Sequence, residues 1–127
     1  MTQDTYHYTE CGLYNVFLIN GFERRETPYG PGISIADVDG LHHQIGLALI
    51  ERTGTLSGTE VRFLRHELDL SQHALGTLLG VDAQSVARWE KGETRIHGSA
   101  QRLLAGLWRE RFQGVAGLKV LLERISQ

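Results

Sequence analysis

Apolar residues recur at helical spacing over most of this chain and form a short continuous run near its start. From Ser57 onward the spacing is helical almost throughout. Val61, Leu64 and Leu68 form one stripe, with Phe63 beside it, and Leu75, Leu79, Val86 and Trp89 continue the pattern. Leu103, Leu104, Leu107, Trp108 and Phe112 form a longer stripe, and Leu118, Leu121, Leu122 and Ile125 form a last one. Recurrence at three and four residues predicts amphipathic helices, five of them between Ser57 and the end. Leu41, Ile45, Ala48 and Leu49 predict one more helix upstream, entered at Ser34 or Asp37 and running to about Glu51. Residues 5–22 are instead rich in aromatic and β-branched types. There, Val16 to Ile19 reads as a strand that ends in the turn Asn20-Gly21, half of a small hairpin. Thr27 to Gly32 concentrates proline and glycine and predicts a loop. The expected fold is therefore mainly α. Residues 1–56 hold a strand-containing segment and a linker helix, and residues 57–127 hold a helical domain.

Helix punctuation sharpens the middle of the chain. Ser57-Gly58-Thr59-Glu60 has the spacing of a capping box. Ser71 is placed to cap a helix from Gln72 to Leu79, which Gly80 ends. Asp82 is placed to cap a second helix, Ala83 to Glu90, which Gly92 ends. Two short helices joined by so tight a turn must cross closely. Gly76 supplies the small residue that close crossing needs, and Leu75, Leu79, Val81, Val86 and Trp89 supply the shared core.

The packed side of the second helix leaves Gln84, Ser85 and Arg88 on the free side. Arginine can donate two hydrogen bonds to the major-groove acceptors of guanine, and glutamine can pair with adenine. These three are candidate base-reading residues. Ser71 and Gln72, at the start of the preceding helix, and Lys91 and Arg95, just past the second one, are candidate phosphate contacts. Net charge is −2, not the basic balance of a strong non-specific DNA binder. The acidic excess lies in residues 1–56, with three Lys/Arg against seven Asp/Glu. Residues 57–111 hold eight against seven, so a near-neutral module must rely on well-placed contacts or on dimerisation.

The segments Leu64-Arg65, Leu70-Ser71-Gln72, Leu78-Leu79-Gly80-Val81 and Val86-Ala87-Arg88-Trp89-Glu90-Lys91-Gly92 resemble the Cro/repressor-type (XRE) helix-turn-helix family. The resemblance covers roughly residues 57–112 and implies a five-helix DNA-binding domain that reads double-stranded DNA. A narrower resemblance is to the MqsA-type antitoxins, which join an N-terminal zinc domain to this kind of helix-turn-helix. That resemblance implies a homodimeric repressor of its own operon, with Gln84 and Arg88 at the base-reading positions; the alternative is an antitoxin that also binds a toxin through its N-terminal part. The zinc domain of that family uses four cysteines, whereas this chain has only Cys11, within Tyr6-His7-Tyr8-Thr9-Glu10-Cys11-Gly12-Leu13.

The remaining chemistry is sparse. Cys11 with His7, His42 and His43 matches no compact zinc-finger spacing, so no metal or cofactor is expected and Cys11 reads as a buried structural thiol. Of His42 and His43, one is expected in solvent and the other partly buried. No nucleophile-and-base signature or phosphate-cradling loop is present, and an enzyme is not expected. One cysteine, no apolar run near the roughly 20 residues of a membrane span and no signal-peptide pattern at Met1 to Thr9 point to the cytoplasm. The apolar stripes after Ser99 exceed what one small module needs, and they are the expected dimer surface, joined by the N-terminal strand of residues 1–56, a segment that partner binding would also suit.

Overall fold

In the computed structural model, residues 4–125 are described, with side chains through Phe112. The order of elements is β1 (Tyr6–His7), β2 (Phe17–Leu18), β3 (Phe22–Thr27), β4 (Gly30–Ile35), α1 (Val38–Glu51), α2 (Gly58–Glu67), α3 (Gln72–Leu79), α4 (Ala83–Lys91) and α5 (Gly98–Ile125). The fold is mainly α, with two small antiparallel strand pairs, as expected. The chain forms two compact units, Met1–Ile45 and Gly46–Gln127, divided inside α1.

In the first unit, β1 pairs with β2 and β3 pairs with β4. Val16 to Ile19 does supply a strand, β2, but it pairs with the upstream strand at Tyr6–His7 and not across the turn expected at Asn20-Gly21. The loop expected at Thr27 to Gly32 shrinks to a turn at Pro28-Tyr29, and Pro31 and Gly32 lie within β4. The Thr27 hydroxyl draws this turn tight, donating to the Gly30 carbonyl at 2.6 Å and accepting from the Tyr29 N–H at 3.2 Å. A two-stranded ribbon consists only of edges, so the missing N–H of Pro31 costs little pairing. Ser34 lies in β4 opposite Glu23, and Asp37 is the residue that starts α1, accepting the Gly40 N–H at 2.9 Å. Tyr8 and Leu13 are buried in this unit, and the Tyr8 hydroxyl is 2.7 Å from His42 Nε2. Cys11, His42 and His43 are each half-buried, so Cys11 is less enclosed than expected and neither histidine is fully in solvent.

In the second unit, four helices follow Ser57 rather than five. The two stripes expected as separate C-terminal helices belong to one helix, α5, of 28 residues. Helical periodicity alone marks no break there, and Gly114 does not end the helix as Gly80 and Gly92 end theirs. The side chains of Leu118, Leu121, Leu122 and Ile125 lie outside the described residues. Val61, Leu64, Leu75, Val86, Leu104 and Trp108 form the most deeply buried part of the core. Trp108 packs on the bare backbone of Gly46 in α1, where a Cβ would lie 2.6 Å from the indole. Leu103, by contrast, is exposed.

The α2 N-terminus shows how sequence sets local structure. The Ser57 hydroxyl accepts the Glu60 N–H at 3.3 Å, and Glu60 accepts the Ser57 N–H at 2.8 Å, completing the capping box. Glu60 is buried and also receives the Arg52 guanidinium. Burial by itself would raise its pKa. The Ser57 N–H and Arg52 outweigh burial and hold the carboxyl below its ordinary 4.5. Stability from a carboxylate with a lowered folded pKa is fully present above the unfolded value and is lost as pH falls through the folded one.

In urea titrations, Glu60→Gln destabilises the chain at pH 7, and the gap from wild type narrows once pH falls below 4.5. A gap that is constant with pH would contradict the charge assignment. At Gly76 a Cβ would lie 2.7 Å from the Val81 carbonyl oxygen, so Gly76→Ala costs about 1–3 kcal/mol. Gly106→Ala, on an open face of α5, instead stabilises by about 0.5–1 kcal/mol in the same assay.

Candidate nucleic-acid interface

The three central helices are short and must be held from outside themselves. Their ends close by local chemistry. The Ser71 hydroxyl accepts the Ala74 N–H at 3.0 Å, and the Asp82 carboxylate accepts the Ser85 N–H at 2.7 Å. The hydrogen bonds from the Ser85 side chain and backbone keep the Asp82 carboxyl below its usual range, with a smaller contribution from the Arg88 charge. Gly80 ends α3 in the left-handed region at φ 76°. Asp69 does the same after α2 at φ 56°, where the Asp69 N–H reaches the His66 carbonyl and the Leu70 N–H reaches the Arg65 carbonyl.

A single polar cluster joins the helices. Arg65 on α2 grips Glu90 on α4 with both arms, Nε to Oε2 at 2.6 Å and Nη2 to Oε1 at 3.0 Å. Its third nitrogen donates to the Leu70 carbonyl at 2.9 Å, between α2 and α3. Gln72, the first residue of α3, donates its side-chain amide to Glu90 Oε1 at 3.2 Å. Side-chain exposure is 12% for Arg65 and 5% for Glu90, so the pair is largely desolvated. Its value depends on this complete set of partners. The sequence pattern gave Arg65 and Glu90 no role. Both lie in the quoted motif segments, but their pairing spans 25 residues, which helical periodicity does not report.

This clamp fixes how α4 is turned. Val86 and Trp89 are buried, and Trp89 meets His97 edge-on at 5.7 Å between ring centroids. On the other side Gln84 and Arg88 are exposed, one helical turn apart, and neither side chain makes a hydrogen bond or ion pair among the described residues. Ser85 is half-buried, and its hydroxyl is engaged with Asp82. Val81, expected in the core, is also only half-buried. Ser71 is exposed with its hydroxyl serving the cap, and Gln72 is half-buried with its amide on Glu90. Lys91 and Arg95 are exposed. Among the described residues, no group of three or more His, Cys, Asp or Glu side chains is arranged to hold a metal ion. No helix among them is long and apolar enough to cross a membrane.

A double-mutant cycle tests the clamp. Arg65→Ala or Glu90→Ala alone should cost about 3–5 kcal/mol in chemical denaturation, since each leaves a buried charge unpaired. The double variant should cost less than the sum of the two by at least about 1 kcal/mol. Additive losses would show that the pair is not coupled.

Comparison with known proteins adds one finding. No curated protein and no solved structure matches the chain significantly. Residues 61–105, from Val61 in α2 to Ala105 in α5, match the helix-turn-helix family model, a family of DNA-binding domains.

Proposed function

We propose that this chain is a sequence-specific DNA-binding transcriptional regulator, a dimeric repressor that lays helix 83–90 in the major groove. One observation carries the reading. The exposed face of α4 presents Gln84 and Arg88, uncommitted and one turn apart, on a helix whose other face is locked into the core. The family match of residues 61–105 supports the same reading.

In this reading Arg88 donates its fork to the N7 and O6 of a guanine, and Gln84 pairs with an adenine edge. Ser85 is the third base-side residue, and its hydroxyl must leave or share its bond to Asp82 to reach a base. Gln72 and Ser71 contact backbone phosphate. The Gln72 amide has a second N–H beyond the one given to Glu90, and the Ser71 hydroxyl can donate while it accepts. Lys91 and Arg95 add charge at the far end of the helix. Residues 57–127 form the DNA-binding part. Residues 1–56 serve dimerisation or a protein partner.

A second reading, an antitoxin that also represses its own operon, draws on the first unit. Tyr14, Phe17, Ile19 and Tyr29 are large apolar side chains left exposed there. Such surface fits a protein partner. A toxin partner would co-purify with the full chain and be lost on deletion of residues 1–32.

Selection of bound sites from a random DNA pool tests the leading reading. Wild type should yield a defined site, and Arg88→Ala should bind it roughly 5- to 150-fold more weakly and lose preference at one guanine. Recovery of the same site at the same affinity would refute the assignment of Arg88. For the oligomer, light scattering at micromolar concentration should give twice the chain mass. A strict monomer, free and on DNA, would remove the dimer from the proposal.

A further inference from the structure

A cleft of about 350 Å³ in the Gly46–Gln127 unit lies between α5 and the segment joining α1 to α2. Its volume falls in the range of small-molecule sites. Arg52, Arg102 and Arg109 line it, with Thr53 and Thr55 across from α5. No carboxylate is among its lining residues.

The walls of the cleft are tied in place. The Gln101 side chain donates to the Gly54 carbonyl at 2.9 Å and accepts the Leu56 N–H at 2.9 Å, which pins the connecting segment to α5. Arg52 is held by the buried Glu60 carboxylate, which also neutralises it. Arg102 and Arg109 remain, exposed and with no carboxylate partner among the described residues. They are seven residues apart, on one face of α5 and about 10 Å apart along its axis, with the small Ala105 between them. Two unpaired guanidinium forks beside two threonine hydroxyls form a donor-rich surface with a net positive charge. Guanidinium forks match phosphate and carboxylate in bidentate geometry.

We propose that this cleft binds a small molecule carrying two anionic groups, phosphate or carboxylate. The two arginines take one group each, and the threonine hydroxyls donate between them. The site uses none of the residues assigned to DNA, so it stands or falls apart from the proposed function.

Calorimetric titration of the full chain with pyrophosphate, and separately with succinate, tests the site. Acetate and chloride serve as monovalent controls. At least one divalent probe should bind saturably at one site per chain and persist in about 0.15 M salt. Its affinity should fall at least tenfold in Arg102→Gln and in Arg109→Gln, with unfolding midpoints near that of wild type. Arg62→Gln removes the same charge from an exposed position on α2 and should leave the affinity intact. Binding of pyrophosphate alone would identify a phosphate site, and binding of succinate alone a carboxylate site. Saturable binding of neither probe, or equal losses in all three variants, would overturn the proposal. So would weaker DNA binding by Arg102→Gln with no binding of either probe, which would make the cleft a DNA-backbone contact.

Discussion

The buried pairing of Arg65 with Glu90 is the constraint on which the helical unit depends. Arg65 sits on α2, Glu90 on α4, and Gln72 joins them from the first position of α3. A charge pair at 12% and 5% side-chain exposure has given up most of its hydration, so it is stable only in one arrangement of donors and acceptors. That arrangement also includes the Leu70 carbonyl, which Arg65 holds at 2.9 Å. The cluster therefore sets the α2–α3 corner and the rotation of α4 together. With Glu90 turned inward and Trp89 buried beside it, Arg88 and Gln84 have only the outer face left.

The helices so joined have 10, 8 and 9 residues, lengths that are marginal alone in water. Caps supply what length does not. Ser57, Ser71 and Asp82 each close an N-terminus with a side-chain oxygen, and Asp69, Gly80 and Gly92 close the other ends in the left-handed region. Caps of this kind contribute about 1 kcal/mol each. Close approach of α3 to the following turn then requires Gly76, and core burial of Leu75, Leu79 and Val86 completes the unit.

Much of this was legible from residues alone because caps, stops and stripes are local. Ser71, Gly80, Asp82 and Gly92 announce helix ends within a few residues of themselves, and the α3 limits follow from them without error. The long-range features were hidden for the same reason. Nothing at Arg65 indicates a partner 25 residues away, and nothing at Gly46 indicates the indole of Trp108. Pro31 and Gly32 read as loop because their local signal is strong, yet a two-stranded ribbon has no inner strand for proline to disrupt. Of the residues proposed to contact DNA, the exposure of Gln84 and Arg88 was readable from the period of α4. The ties of Ser85 to Asp82 and of Gln72 to Glu90 were not, because they depend on neighbours that only the packed helices bring close.

The central claim is that the outer face of α4 reads base edges in the major groove, with Arg88 on guanine. Methylation interference at guanine N7 addresses it most directly, since that atom lies only in the major groove. The account predicts that methylation of a guanine within the site blocks wild-type binding but has little further effect on Arg88→Ala. Wild-type binding that is indifferent to N7 methylation throughout the site would contradict it.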